Sequence, residues 1–414
     1  MMSIHFRFAS KPCTPDEAWP LLEDAAMAYQ KLHPLVTTER GDNELTLHLC
    51  TLGGITLSYR LGMVQGDCQT NLAGAGFHAA AVECIEFLSQ ETNMDFAIED
   101  ETEYAEHRDF ARMKDQHFFS WLRNVVDVLK DYRAQNNTQS ICVAWDVHKY
   151  LPYGESNTIV TPLGMHHSDA LFSRVRQHGI ESFAEVFYVW PYREQNALFF
   201  RNSALNLLWE DCYFMPSARS EADAVVNTNI IALLEKSMTL DPKLPQPLDA
   251  YVHLCELAEH APIDVQSIPV FRSDYAIGYR REKLQFHVGN LGVSIPGHYL
   301  YEQQREDRDH VWFDGRGHSV RISAFTGSEE RTEFDDALFF DATELPRQFA
   351  VGSGKGKAYF APPVRDREGN TSYQVVGEIL SGKQVSLVTI SFPERSEREW
   401  AFGIVQSVIL LPDA

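Results

Sequence analysis

The chain has 414 residues, 44% hydrophobic and 23% charged; this balance is that of soluble globular proteins, it excludes long disorder, and the length calls for two or three domains. Its 58 acids against 36 Lys and Arg give a net charge of −22, with no acidic tail and no polybasic block. That excludes nucleic acid and anionic membrane as partners, since both call for a basic footprint, and leaves a protein partner, preferably basic, as the class the surface would attract.

The first hundred residues read as an alternation. IHFRFAS (4–10) predicts a strand and TPDEAWPLLEDAAMAYQKL (14–32) a helix, with Thr14 as N-cap and Pro15 in the first turn. ELTLHLCTL (44–52) and ITLSYRLGMV (55–64) alternate as strands joined by a Gly53-Gly54 hairpin turn, a helix runs from about Phe77 to Gln90, and MDFAIE (94–99) closes with a strand. The order βαββαβ is that of a ferredoxin-like unit.

A long helix is expected from Glu106 to Arg133, then a strand at 140–147. The middle third predicts a short helix near 170–177, an apolar strand AEVFYVW (184–190), helices at 197–212 and 221–240, a proline-rich break at 241–249 and a last short helix. It extends the first region as a helical and α/β layer. From about Arg272 short strands take over, at 284–288, 292–296, 310–313, 318–325, 357–363, 372–380 and 384–392, and a helix at 397–410 repeats Trp400, Ile404 and Val408 on one face. The class is therefore α+β, with one region at 1–270, a candidate sub-boundary near 135–150, and a strand-rich domain at 271–414 whose antiparallel sheet is covered by the terminal helix.

The strand-rich body, the VSIPG segment (293–297) and the closing helix with Trp400 resemble the α/β domains of the MOG1/PsbP-like superfamily over roughly residues 284–413. That resemblance implies binding in preference to chemistry: such domains are mostly non-catalytic adaptors or chaperones, some linked in bacteria to secretion systems. It carries over no residue.

The start, MMSIHFRFASKPC, has no basic segment followed by an apolar run, and no apolar stretch reaches membrane-spanning length. Seven scattered cysteines, never spaced CxxC, read as reduced thiols of a cytoplasmic, bacterial-type protein.

The densest cluster of reactive side chains is Thr102 to Trp121, TEYAEHRDFARMKDQHFFSW. On a continuous helix His107 and His117 stand about 15 Å apart along the axis and about 80° apart around it, too far to share an ion. Phe110, Met113, Phe118, Trp121, Leu122, Val125 and Leu129 form an apolar stripe, while Glu103 with His107 and Asp109 with Arg112 fall at pairing distances. The segment reads as a packed helix with a charged outer face, and His107, Asp109, Arg112, His117 and Trp121 are its candidate binding residues.

The enzymatic alternative is a metal- or histidine-dependent hydrolase centred on His166, His167 and Asp169, with His148 or His178 brought near by folding. Against it, adjacent histidines do not naturally converge on one ion, and Ser168 or Asp169 serves as the N-cap of the helix that follows. GSGKGK (352–357) lacks the spacing and the helix of a phosphate loop, and AGAGF (73–77) lacks the strand before it and the GxGxxG of a dinucleotide site. Glu333, Asp335, Asp336 and Asp341 alternate with aromatic and aliphatic residues as an exposed edge does. With no GxSxG, HExxH, EF-hand or kinase signature, neither a cofactor nor a metal is expected. The favoured reading is a non-catalytic adaptor, chaperone or immunity-type protein.

Overall fold

The computed structural model describes residues 3–135, 141–143, 157–210, 221–272, 283–304, 309–335, 345–365, 369 and 371–410. They fall into two compact units, one reaching residue 272 and the other starting at 283. Helices and antiparallel sheets occur in both, so the class is α+β.

The first unit opens with a six-stranded sheet in the order β2-β3-β4-β5-β1-β6, built from β1 (His5–Ala9), β2 (Thr37–Arg40), β3 (Glu44–Cys50), β4 (Gly53–Arg60), β5 (Met63–Gln69) and β6 (Ala97–Asp100). Alternation does what the sequence promised on one face: Phe6, Phe8, Leu45, Leu47, Ile55 and Leu57 are buried beneath α1 (Pro15–Leu32) and α2 (Ala75–Thr92). The entry to α1 is fixed by Glu17, whose carboxylate accepts from the Thr14 backbone N–H at 3.3 Å and its hydroxyl at 2.8 Å. Helix α2 is buried on every side from Ala75 to Val82, and its second half turns Glu86 and Gln90 outward.

The β6-β1-β5-β4 end of the sheet has the ferredoxin-like order, in which each pair of parallel strands is split by an antiparallel one, and every pairing is antiparallel, including both neighbours of β1. Two strands go beyond the four expected. β2 (TTER) is exposed throughout, and β5 (MVQGDCQ) is interrupted by Gly66 and Asp67, so neither carries the alternation that announces a strand. The Gly53-Gly54 pair is also not the hairpin turn, because Gly53 already pairs with Cys50. Its lack of a side chain serves packing, since a Cβ there would lie 2.5 Å from the Phe77 ring.

Next come α3 (Tyr104–His107), α4 (Phe110–Met113), a π turn (Lys114–Phe118) and α5 (Phe119–Gln135). A small sheet pairs β7 (Ile141–Cys142) in parallel with β8 (Thr158–Thr161), and β8 in antiparallel with β9 (Gly164–His167). Helices α6 (Ser168–His178), α7 (Ile180–Phe187), α8 (Ala197–Glu210), α9 (Glu221–Leu240) and α10 (Leu248–Leu257) complete the unit. The strand expected at 184–190 is the end of α7, an extended Tyr188 and a bend at Val189 and Trp190. Ala184, Val186, Phe187, Tyr188 and Val189 are all buried, and a window apolar on every side shows no period by which to separate helix from strand.

This region seats directly on α2. The Gly76 N–H donates to the Trp190 carbonyl at 2.9 Å and the Trp190 N–H to the Ala73 carbonyl at 2.8 Å. A Cβ on Gly76 would lie 2.1 Å from both the Trp190 ring and the Tyr192 carbonyl. AGAGF is thus a turn stripped of side chains for close packing, and the Gly74 and Gly76 amides are occupied by the Thr70 and Trp190 carbonyls.

In the second unit β10 (Lys283–Val288), β11 (Leu291–Pro296) and β19 (Ile409–Leu410) form one sheet. A larger sheet runs β12-β13-β14-β18-β17-β16-β15, from β12 (Leu300–Gln304), β13 (Asp309–Phe313), β14 (Ser319–Thr326), β15 (Arg347–Val351), β16 (Gly354–Arg365), β17 (Thr371–Ser381) and β18 (Gln384–Phe392). Helix α11 (Arg398–Gln406) packs on β16, β17 and β18 with Ala401, Phe402, Ile404 and Val405 buried. It ends four residues sooner than expected because Ile409–Leu410 pairs with β11. GSGKGK spans the β15–β16 turn, and its lysines lie on β16 near the Phe334 ring.

Candidate functional site

The Thr102–Trp121 segment is broken where one helix was expected. Arg108 takes a left-handed conformation (φ 56°) that ends α3, and Asp109 restarts the helix by accepting the Arg112 backbone N–H at 2.9 Å. Asp109 is therefore a cap. The Arg112 guanidinium turns instead to Glu103, at 2.7 Å, and to Gln116, at 3.3 Å. The π turn adds one residue to the winding, which keeps Met113 and Phe118, five positions apart, both facing the core at 1% and 0% exposure.

The candidate residues separate accordingly. His107 is half exposed, with Nε2 3.9 Å from the Glu103 carboxylate, the i,i+4 neighbour read from the sequence. Trp121 is buried with its ring 5.8 Å from Phe187 and 6.4 Å from Tyr188, which removes it from any binding surface. His117 is partly buried on the π turn. Desolvation lowers its pKa, with His78 and Arg112 acting in the same sense and Asp100 and Glu103 opposing.

The group that His117 senses is one the sequence did not reveal. His78, wholly buried on α2, places Nδ1 2.9 Å from the Thr70 hydroxyl and Nε2 3.2 Å from both an Asp100 carboxylate oxygen and the Thr102 hydroxyl. Asp100, at the end of β6, also accepts the backbone N–H groups of Thr102 at 2.8 Å and Ala105 at 2.9 Å. Burial alone would raise its carboxyl, but the hydrogen bond and charge of His78 and the two amides outweigh it and hold the pKa far below the carboxylate range. Phe6, Phe118 and Tyr104 wall the imidazole at 5.4, 5.8 and 6.3 Å between ring centres. The available signal was a histidine in an otherwise apolar helix, FHAAAV, which needs a partner wherever it is buried. With both ring nitrogens engaged and no exposed surface, this pair ties α2, β6 and α3 together and reaches no substrate.

Beside it lies a groove of about 570 Å³. Glu86, Ser89 and Gln90 of α2 form one wall, Glu103, Ala105 and Glu106 the other, and Phe96, Ile98 and Asp100 the floor along β6. Arg108 bonds Glu86 and Arg112 bonds Glu103 at the rim. With Asp100 buried against His78, and Glu86 and Glu103 each facing one guanidinium group, Glu106 leaves the open groove with an excess of negative charge.

Elsewhere the candidates stay apart. His166 and His167 are consecutive on β9 and so point to opposite faces. The first meets the Thr161 hydroxyl at 3.4 Å and the second the Asn157 amide at 3.4 Å. Asn157 also donates to Asp169 at 3.1 Å, and the Ser168 hydroxyl donates to the Asn157 carbonyl at 2.9 Å, so neither acidic nor hydroxyl side chain caps α6. His178 ends α6 beside a separate cleft with Ser173 and Gln177. Among the described residues no three His, Cys, Asp or Glu side chains stand where they could hold a metal ion. His148, Asp336 and Asp341 lie outside the described residues; Glu333 is exposed, and the Asp335 backbone N–H donates to the Glu378 carboxylate at 2.8 Å. Burial pushes the thiols of Cys50, Cys84 and Cys142 up to about 12, far from a thiolate nucleophile. No helix among the described residues is long and apolar enough to cross a membrane.

The chain matches no protein-family model and no curated protein. Among solved structures it is similar to a crystal structure from Bacteroides thetaiotaomicron at 12% identity, covering 32% of this chain with a TM-score of 0.26. The match spans half the length of that structure, 50%.

Proposed function

We propose that this chain is a non-catalytic cytoplasmic binding protein, of adaptor, chaperone or immunity type, that takes a basic segment of a cognate protein into the groove beside β6. The observation that carries the reading is the lining of that groove, where Glu86, Glu103 and Glu106 flank an apolar floor of Phe96 and Ile98. A net charge of −22 over the whole chain adds long-range attraction for such a partner. The resemblance of residues 284–413 to MOG1/PsbP-like domains points the same way, toward binding in preference to chemistry.

Tagged full-length chain, purified from its native host at low and at high salt, tests this. One stoichiometric partner should be retained at low salt, released at high salt, and lost with the double charge reversal Glu103→Lys/Glu106→Lys. A partner held equally by wild type and by the double variant, or a chain recovered alone at low salt, overturns the reading.

A further inference from the structure

We infer that the basic segment binds by strand addition, pairing its backbone with the outer edge of β6. This rests on the proposal that the groove takes a basic segment, and adds how it is held. β6 is the terminal strand of the six-stranded sheet, paired to β1 alone among the described strands. A terminal strand presents N–H and C=O groups in the direction of the next strand, and proteins guard such edges when nothing is meant to pair there.

The two edges of this sheet are guarded differently. At the far edge β2 ends in Arg40, whose guanidinium is held on α1 by Glu23 at 2.7 Å and by the Trp19 ring at 4.3 Å, so this edge carries a fixed cation close by. At the near edge β6 exposes Ala97 and Glu99 on the open face of the sheet and turns Ile98 and Asp100 to the helix side. Like charge on Glu99 and on Glu106 beyond it opposes pairing with a second copy and favours a cationic strand. Side chains of an added strand alternate in the same register. Lysine or arginine at groove-facing positions would lay its stem along Ile98 and reach Glu103 and Glu106 with its head, while small β-branched residues would lie beside Ala97. The partner's segment is thus short, extended, and alternates basic with β-branched residues.

The probe is a fluorescently labelled hexapeptide, Lys-Val-Arg-Val-Lys-Val, titrated with the full chain at low salt and read by anisotropy. Two derivatives carry backbone N-methyl groups on the basic or on the valine residues, keeping charge and side chains while removing one set of edge-facing donors. Binding of the parent, at least tenfold weaker binding of one derivative only, and slowed amide exchange at Ala97 to Glu99 is the result expected. Equal binding of parent and both derivatives, abolished by Glu103→Lys/Glu106→Lys, overturns strand addition and leaves the basic-segment reading standing. Absence of binding by any of the three peptides, or binding indifferent to the charge reversal, overturns both. Circular dichroism of the double variant should match wild type, since Glu103 and Glu106 are exposed.

Discussion

Replacing Asp100 by asparagine keeps the size of the side chain and removes its charge. As a carboxylate Asp100 only accepts, taking the His78 Nε2–H at 3.2 Å, the Thr102 N–H at 2.8 Å and the Ala105 N–H at 2.9 Å. An amide must turn its NH₂ toward at least one of these donors, whichever way it is flipped. One buried donor left without an acceptor costs about 1–3 kcal/mol, and losing the charge from the bonds that remain costs about 1 kcal/mol more. Asp100→Asn should therefore destabilise the first unit by about 2–4 kcal/mol. Arg112→Ala is the comparison: it removes a pair to Glu103 of similar length, 2.7 Å, but both groups are about half exposed, and less than about 1 kcal/mol is expected. Native-state amide exchange in α2 reads the first unit without requiring the whole chain to unfold in one step. Because the folded pKa of Asp100 is depressed, its stabilisation is fully present above about pH 4, the unfolded value, and is lost as pH falls through the folded one. A variant that costs less than about 1 kcal/mol at pH 7, or that matches Arg112→Ala, would refute the account of this network.

The parts of the fold legible in the sequence are those where one face is wet. The first strand, α1 with its Thr14 entry, the stripe from Met113 to Leu129 and the long β-strands of the second unit all alternate or recur because solvent lies on one side and core on the other. The failures lie where that contrast vanishes. β2 is exposed on both faces, the end of α7 and Tyr188–Trp190 are buried on both, and β19, with two residues, is too short to carry a period. Within Thr102–Trp121 the single expected helix is broken, because a π turn and a left-handed Arg108 leave no mark on composition. His78 escaped because its partners lie 8, 22 and 24 residues away on other elements. The groove needed α2, β6 and α3 in place before its carboxylates became neighbours.

Trp121→Ala should destabilise the first unit by about 3–5 kcal/mol by leaving a void against Phe187 and Tyr188, while peptide affinity, measured at a temperature where the variant is folded, stays within about twofold; a selective loss of affinity would return this residue to the binding surface. In the second unit His318 sits between two carboxylates, Asp314 and Glu397, each 2.8 Å from one ring nitrogen, with the Trp400 ring edge-on at 5.2 Å. Partial burial opposes its charge, but the bonds to Glu397 and Asp314 prevail and raise its pKa, so the linkage runs opposite to that of Asp100. Its contribution is full below about pH 6.5, the unfolded value, and disappears as pH rises through the folded value. Amide exchange in α11 should therefore quicken as pH rises above about 6.5, after correction for intrinsic exchange, and the pH dependence should vanish in His318→Gln. The helix begins just after Glu397, so deprotonation of His318 loosens the one imidazole contact that ties its start to the β13–β14 turn; equal pH dependence in wild type and variant would assign the effect to other groups.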